Sequence, residues 1–222
     1  RDTDRSRGLG DVYKRQVCIL ISSALSGTHQ MLEQARQELL KKYPERSFDV
    51  VNTLSISMGA GLIVYYAAKM WKAGATRQEI IKWVEDNRMR VNHWFSVDDL
   101  YHLKRGGRIS GAAALMGTML ELKPILTVNR EGKLVVAEKA KGRKRAIKTL
   151  LDKMEENIEN PEEQLIVVLH ADAPEDAAYL ESRIKEKYNP KELWVNYVGP
   201  VIGTHCGPGT IAVLFMGKER AQ

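Results

Sequence analysis

From Val17 onward, short apolar runs alternate with helical stretches, and this alternation restricts the fold more than any other feature. "VCILI" at 17–21 reads as a buried strand, and Thr28 to Tyr43 places Met31, Ala35, Leu39 and Leu40 on one helical face. "SFDVVNTLSIS" reads as a strand running into a polar turn. "MGAGLIVYYAAKMWKAG" reads as an apolar helix stopped by Gly74. A third helix follows in "TRQEIIKWVEDNRMRV", where Thr76 caps and Glu79 stands in capping-box register. Strands and helices in this order predict a mainly parallel sheet with helices on its faces.

The rhythm changes near Val91. "VNHWFSV" is strand-like, "DDLYHLKRGG" is a short helix ended by glycines, and "SGAAALMGTMLELK" is a helix of small residues. Two strands then flank a turn at Arg130-Glu131-Gly132, and a helix runs from about Arg143 to Glu159. "EQLIVVLHA", "ELWVNYVG" and "GTIAVLFMG" are further strands, with a helix in "APEDAAYLESRIKEKY". The expected fold is α/β in two domains. An incomplete N-terminal domain over 17–90 has a parallel sheet flanked by helices, and a C-terminal α/β domain over 91–222 has a largely antiparallel sheet. No long linker separates them, so close packing is expected. Residues 1–16 show no sustained apolar periodicity and read as an unrelated or disordered tail.

Composition narrows the function classes. Hydrophobic residues at 44% and charged residues at 28% of 222 are ordinary for a globular chain. No apolar run approaches the roughly 18 to 20 residues that span a bilayer, and no signal peptide is visible, so a cytoplasmic protein is expected. The net charge of +6 concentrates in "EKAKGRKRAIK", with Lys139, Lys141, Arg143, Lys144, Arg145 and Lys148. No aromatic residue interleaves this stretch to stack on bases, which argues against nucleic acid and for a solvated helix face or a partner-docking surface. Cys18 and Cys206 form no C-x-x-C, and the five histidines form no H-x-x-x-H pair, so no metal site is expected. Neither a P-loop nor a dinucleotide fingerprint is present, and no cofactor is expected.

Two stretches carry candidate chemistry. "LISSALSGTHQ" places Ser22, Ser23, Ser26, Gly27 and Thr28 where a strand opens into a helix. Hydroxyls there can cap the helix, and the same unpaired N–H groups can hold an anion. "GPVIGTHCGPGTIAVLF" holds His205 in a loop rich in glycine and proline, where an imidazole can donate to an anion or simply sit exposed. Ser23 and His205 could also form a nucleophile and base, but the serine stretch is not G-x-S-x-G and no acidic orienter stands out.

Three stretches in this order, "ISSALSGTHQ", "LYHLKRGGRISGAAALMGTMLELKPILTVNREGKL" and "IGTHCGPGTIAVLF", resemble the DegV family of bacterial fatty-acid-binding proteins over Val17 to Gly217. The resemblance implies two α/β domains with one long-chain fatty acid between them. It further implies, for some members, delivery of that acid to an ATP-dependent partner, the catalytic subunit of fatty acid kinase, which makes the acyl phosphate. Carried over, Ser23 would bind the carboxylate, with Ser22, Gly27 and Thr28 around it and His205 approaching from the other domain. Ile109, Ala113, Leu115 and Met116 would line the acyl tunnel. Lys139, Lys141, Arg143 and Arg145 become candidate contacts for the kinase partner. A serine-dependent hydrolase using Ser23 and His205 is the alternative.

The chain departs from the family pattern at its start, where an Asp-Ser strand and a Thr-Ser-Gln-Pro type loop are missing. The resemblance therefore implies a first domain without its leading strand, an open sheet edge and weakened lipid binding or stability.

Overall fold

The computed structural model describes residues 15–109 and 121–220. The tail residues before Arg15 and the expected small-residue helix, with Ala113, Leu115 and Met116, lie outside the described residues. The protein is α/β, with a small parallel sheet and a larger mixed one.

The parallel sheet pairs β1 (Arg15–Leu20) with β2 (Ser47–Asn52). β1 starts two residues earlier than the apolar pattern suggests. Arg15 and Gln16 pair with Ser47 and Phe48 through backbone groups, which need no apolar side chain. Three helices accompany this sheet: α1 (Thr28–Lys42), α2 (Met58–Lys72) and α3 (Arg77–Asn87). The Thr76–Glu79 capping box forms at α3, with Thr76 N–H donating to the Glu79 carboxylate at 2.7 Å and Glu79 N–H to the Thr76 hydroxyl at 3.3 Å.

The larger sheet comprises β3 (Val91–Ser96), β4 (Leu122–Val128), β5 (Leu134–Lys141), β6 (Leu165–Ala171), β7 (Glu192–Tyr197) and β8 (Thr210–Met216), in the order β5-β4-β3-β8-β6-β7. β6 and β7 run parallel and the other neighbours antiparallel. The long helices α5 (Arg143–Asn157) and α6 (Pro174–Tyr188) cover one face. A short helix α4 (Tyr101–Arg105) and a second short helix α7 (Pro200–Cys206) stand at the strand ends.

Both faces of this sheet are buried, which explains the unbroken apolar runs in β6 and β8. Along β6, Leu165, Val167 and Leu169 face one core, while Ile166 and Val168 face the other. Leu62 and Ile63 of α2 and Val84 of α3 join the first core. The two sheets therefore share one hydrophobic interior.

The segment holding His205 is helical rather than a loop. Pro200 occupies the first turn, where its fixed φ suits a helix, and Gly207, at φ 76°, ends it. The Thr204 hydroxyl donates to the Pro200 carbonyl at 2.8 Å, keeping its polar atom within the helix.

Candidate functional site

A chamber opens between the first core's strands and the turns that follow β1 and β2. Its empty space, open mouth included, is about 930 Å3. Phe95, Leu103, Leu169, Ala212 and Leu214 form much of its apolar wall, with Val201 and Ile202 of α7 on one side. Ile21, Leu25, Ser26, Ile56 and Ser57 reach in from the first sheet's turns.

Three of its polar wall residues lie close together. The Arg108 guanidinium lines the chamber and donates from Nε to the Leu25 carbonyl at 3.3 Å and from Nη1 to the Gly106 carbonyl. His205, in the last turn of α7, packs on Gly106 so closely that a Cβ there would lie 2.3 Å from its Nδ1. Ser26 adjoins Leu25, and so a guanidinium, an imidazole and a hydroxyl share one part of a mostly apolar wall. Ser57 lines the chamber as the N-cap of the 15-residue α2, at φ 52° and with no side-chain cap. The unpaired N–H groups and the dipole at such an end favour a negative charge.

The two turns are tied together. Ser22 N–H donates to the Ser55 carbonyl at 2.8 Å and Thr53 N–H to the Leu20 carbonyl at 3.0 Å. The Asn52 amide donates to the Ser23 hydroxyl at 2.7 Å, and its oxygen accepts from Ser23 N–H at 3.3 Å and Leu54 N–H at 3.0 Å.

The expected site residues that are among the described ones take different places. His205 lines the chamber. Ser23 is exposed, bonded to Asn52, and does not belong to the chamber lining. Ser22 is fully buried and donates to the Gly132 carbonyl at 2.8 Å. The expected hydroxyl cap does not form: Gly27, which has no side chain, is the N-cap of α1, and the Ser26 hydroxyl only accepts from Thr28 N–H at 3.3 Å in the turn before it. Ile109 is buried and bridges to Leu134 without lining the chamber. Of the basic stretch, Arg143 is held by Asp176, with Nε to carboxylate at 2.8 Å, and lies near Asp98. Lys141 stands 3.6 Å from Glu121, while Lys139 and Arg145 are exposed.

Sequence reasoning missed Arg108, Ser57 and His93. Arg108 directly follows the Gly106-Gly107 pair, and a cation placed just after a helix-ending glycine pair was the available signal. His93 lines the chamber at 2% exposure, and burial, followed by the nearby Arg220 charge, pushes its pKa well below the usual imidazole value. Burial also pushes the Cys206 thiol up, so this wall residue behaves as a small hydrophobe.

Fold and site define an α/β protein that encloses an apolar chamber between two sheets, with a cation and hydroxyls in its wall. The chain belongs to the DegV family, a family described as uncharacterised proteins, whose match covers residues 8–218. A DegV domain-containing protein of Clostridium perfringens is 49% identical over 213 residues, which span 95% of this chain and 73% of the relative. Among solved structures, a fatty-acid-binding DegV family protein of Thermus thermophilus superposes with a TM-score of 0.84 at 33% identity, covering 96% of this chain and 74% of that one. DegV of Bacillus subtilis, also described as a fatty-acid-binding protein, gives 0.79 at 32%, covering 97% and 75%.

Proposed function

We propose that the chain is a non-catalytic carrier. It takes one long-chain fatty acid into the chamber and presents the carboxylate, near Ser26, Arg108 and His205, to an ATP-dependent kinase partner. One observation carries the reading: a guanidinium and an imidazole both adjoin Gly106 on the wall of a chamber lined mostly by apolar side chains. An apolar tail with one anionic head matches that division of surface. About fourteen methylenes contribute on the order of 10 kcal/mol on burial, before ordering costs. The carboxylate must then be hydrogen-bonded, because an unpaired buried charge is expensive.

Fatty-acid binding is what the Thermus thermophilus and Bacillus subtilis relatives are described as doing. The kinase step rests on the family resemblance, with Lys139, Lys141 and Arg145 as candidate contacts. In this reading Ser23 acts through Asn52 on the turn that carries Ser26. The hydrolase alternative is disfavoured because the Ser23 hydroxyl accepts from an amide and, among the described residues, bonds to no imidazole.

Lipid extraction and mass spectrometry of the purified protein test the carrier reading. About one long-chain fatty acid per chain is expected. A folded protein that carries none, and takes up none when offered palmitate, overturns it.

A further inference from the structure

Arg220 is a buried cation with an unusual set of partners. Its side chain is 3% exposed, and among the described residues no carboxylate pairs with it. Its two terminal nitrogens donate to carbonyl oxygens instead: Nη1 to Leu54 at 2.8 Å and to Asn129 at 3.3 Å, and Nη2 to Arg88 at 2.8 Å, with the Met89 sulfur 3.8 Å from Nη2. Burial, with Arg88 and Arg130 close by, lowers its pKa to about 10, so the guanidinium remains charged at neutral pH. A charge kept inside the protein without a counter-ion is costly, and this one is held by backbone dipoles from three separate segments.

Those segments meet at the turn between β4 and β5. Asn129 closes that turn by accepting at Oδ1 from Glu131 N–H at 3.1 Å and Lys133 N–H at 3.0 Å. Gly132, at φ 77°, accepts the Ser22 hydroxyl at 2.8 Å, and the same hydroxyl accepts from Ala24 N–H at 3.2 Å. A Cβ on Gly132 would lie 2.1 Å from the Ser22 Oγ and 3.2 Å from the Leu54 side chain. Leu54 itself sits at φ 49°, a conformation that a residue with a Cβ holds only when its surroundings enforce it. The Arg220 bond to its carbonyl is part of that enforcement.

One hairpin turn thus grips both turns of the first sheet: Ser22 through Gly132, and Leu54 through Arg220. Ser26 stands four residues beyond Ser22 and Ser57 three beyond Leu54, and both line the chamber. We propose that Arg220, together with Ser22 and the 129–133 turn, positions the chamber's hydroxyl-bearing turns for a carboxylate. Arg220 acts through Leu54 and touches no ligand. The proposal rests on the fatty-acid reading above.

The test compares palmitate with its methyl ester, which keeps the chain and lacks the charge. Affinities for both are measured on the whole chain, on Arg220→Ala, on Arg220→Lys and on Ser22→Ala, alongside thermal stability. Wild type is expected to prefer the acid by at least about tenfold. Arg220→Ala and Ser22→Ala lose most of that preference while ester affinity stays within about threefold, and Arg220→Lys restores part of it. Should Arg220→Ala fail to fold, Ser22→Ala alone decides, because it removes one hydroxyl and adds no bulk. An unchanged preference in the folded variants, or equal loss for acid and ester, overturns the positioning role. Wild-type protein that binds neither ligand, or both alike, overturns the fatty-acid reading itself and this proposal with it.

Discussion

The imidazole of His93 fills the space that a side chain at residue 59 would need: a Cβ on Gly59 would lie 1.9 Å from its Nε2. His93 comes from β3 and Gly59 from the first turn of α2, so this contact is where the helix settles on the large sheet. The Nε2 accepts from Ile56 N–H at 3.4 Å, which requires that nitrogen to be unprotonated.

Stability should therefore fall in acid. Burial and the Arg220 charge keep folded His93 neutral well below the ordinary imidazole value, while the unfolded chain takes up a proton near pH 6.5. Below that pH the unfolded state binds more protons, and stability drops by up to about 1.4 kcal/mol per pH unit until the depressed folded value is reached. Above it this group contributes no slope. Urea titrations between pH 7.5 and 5 on wild type and His93→Leu measure the difference: the variant should show a shallower decline.

Gly59→Ala should destabilise by about 2 kcal/mol, because a methyl group there would overlap the His93 ring, which could give way only by breaking its bond from Ile56 N–H and leaning into the chamber it lines. Gly74→Ala, at φ 90° with no atom within 4 Å, is the contrast, since its cost comes from backbone strain alone. Denaturant midpoints of the two variants, with the chamber probed by palmitate uptake, separate crowding from strain: only Gly59→Ala should also disturb uptake.

Arg108→Ala should weaken palmitate binding by about ten- to a hundredfold, the range for losing a charge-assisted hydrogen bond. Ser23→Ala should weaken it much less, since that hydroxyl meets Asn52 outside the chamber lining. Titration calorimetry checks both, and the reverse ranking would restore Ser23 as the carboxylate's direct partner.

Within the basic stretch the four candidate contacts should divide. Lys139→Glu with Arg145→Glu, both exposed, should slow acyl-phosphate formation by a kinase partner several-fold while leaving fatty-acid affinity unchanged, and the effect should shrink at high salt. Arg143→Ala should instead lower the melting temperature, because it strands Asp176 in the contact between α5 and α6. Kinase-coupled turnover and thermal melts on the same variants check the division.

Much of this architecture was legible from periodicity. The continuous apolar runs at 165–169 and 211–216 announced strands, and Thr76 with Glu79 announced the start of α3. The helical state of 200–206 was not legible, since glycine and proline there suggest a loop until Pro200 is seen to occupy a first helical turn. The site was legible in part. His205 could be picked out because an imidazole in a glycine-rich segment is conspicuous. For Arg108 the glycine pair before it was the one local signal, and its reach to the Leu25 carbonyl 83 residues away is a closeness that no local pattern encodes. Ser22 and Ser23 carry the same hydroxyl one residue apart in the turn after β1, and only the tertiary packing of that turn decides that the first is buried and the second faces outward.

The wall of the chamber is also the seam between the two sheets, since Leu169, Leu214 and Phe95 belong to the shared interior and line the empty space as well. Capacity and cohesion are therefore a single quantity in this molecule. Any substitution that enlarges the hold loosens the hull, and a cargo that fills it does the work of missing side chains.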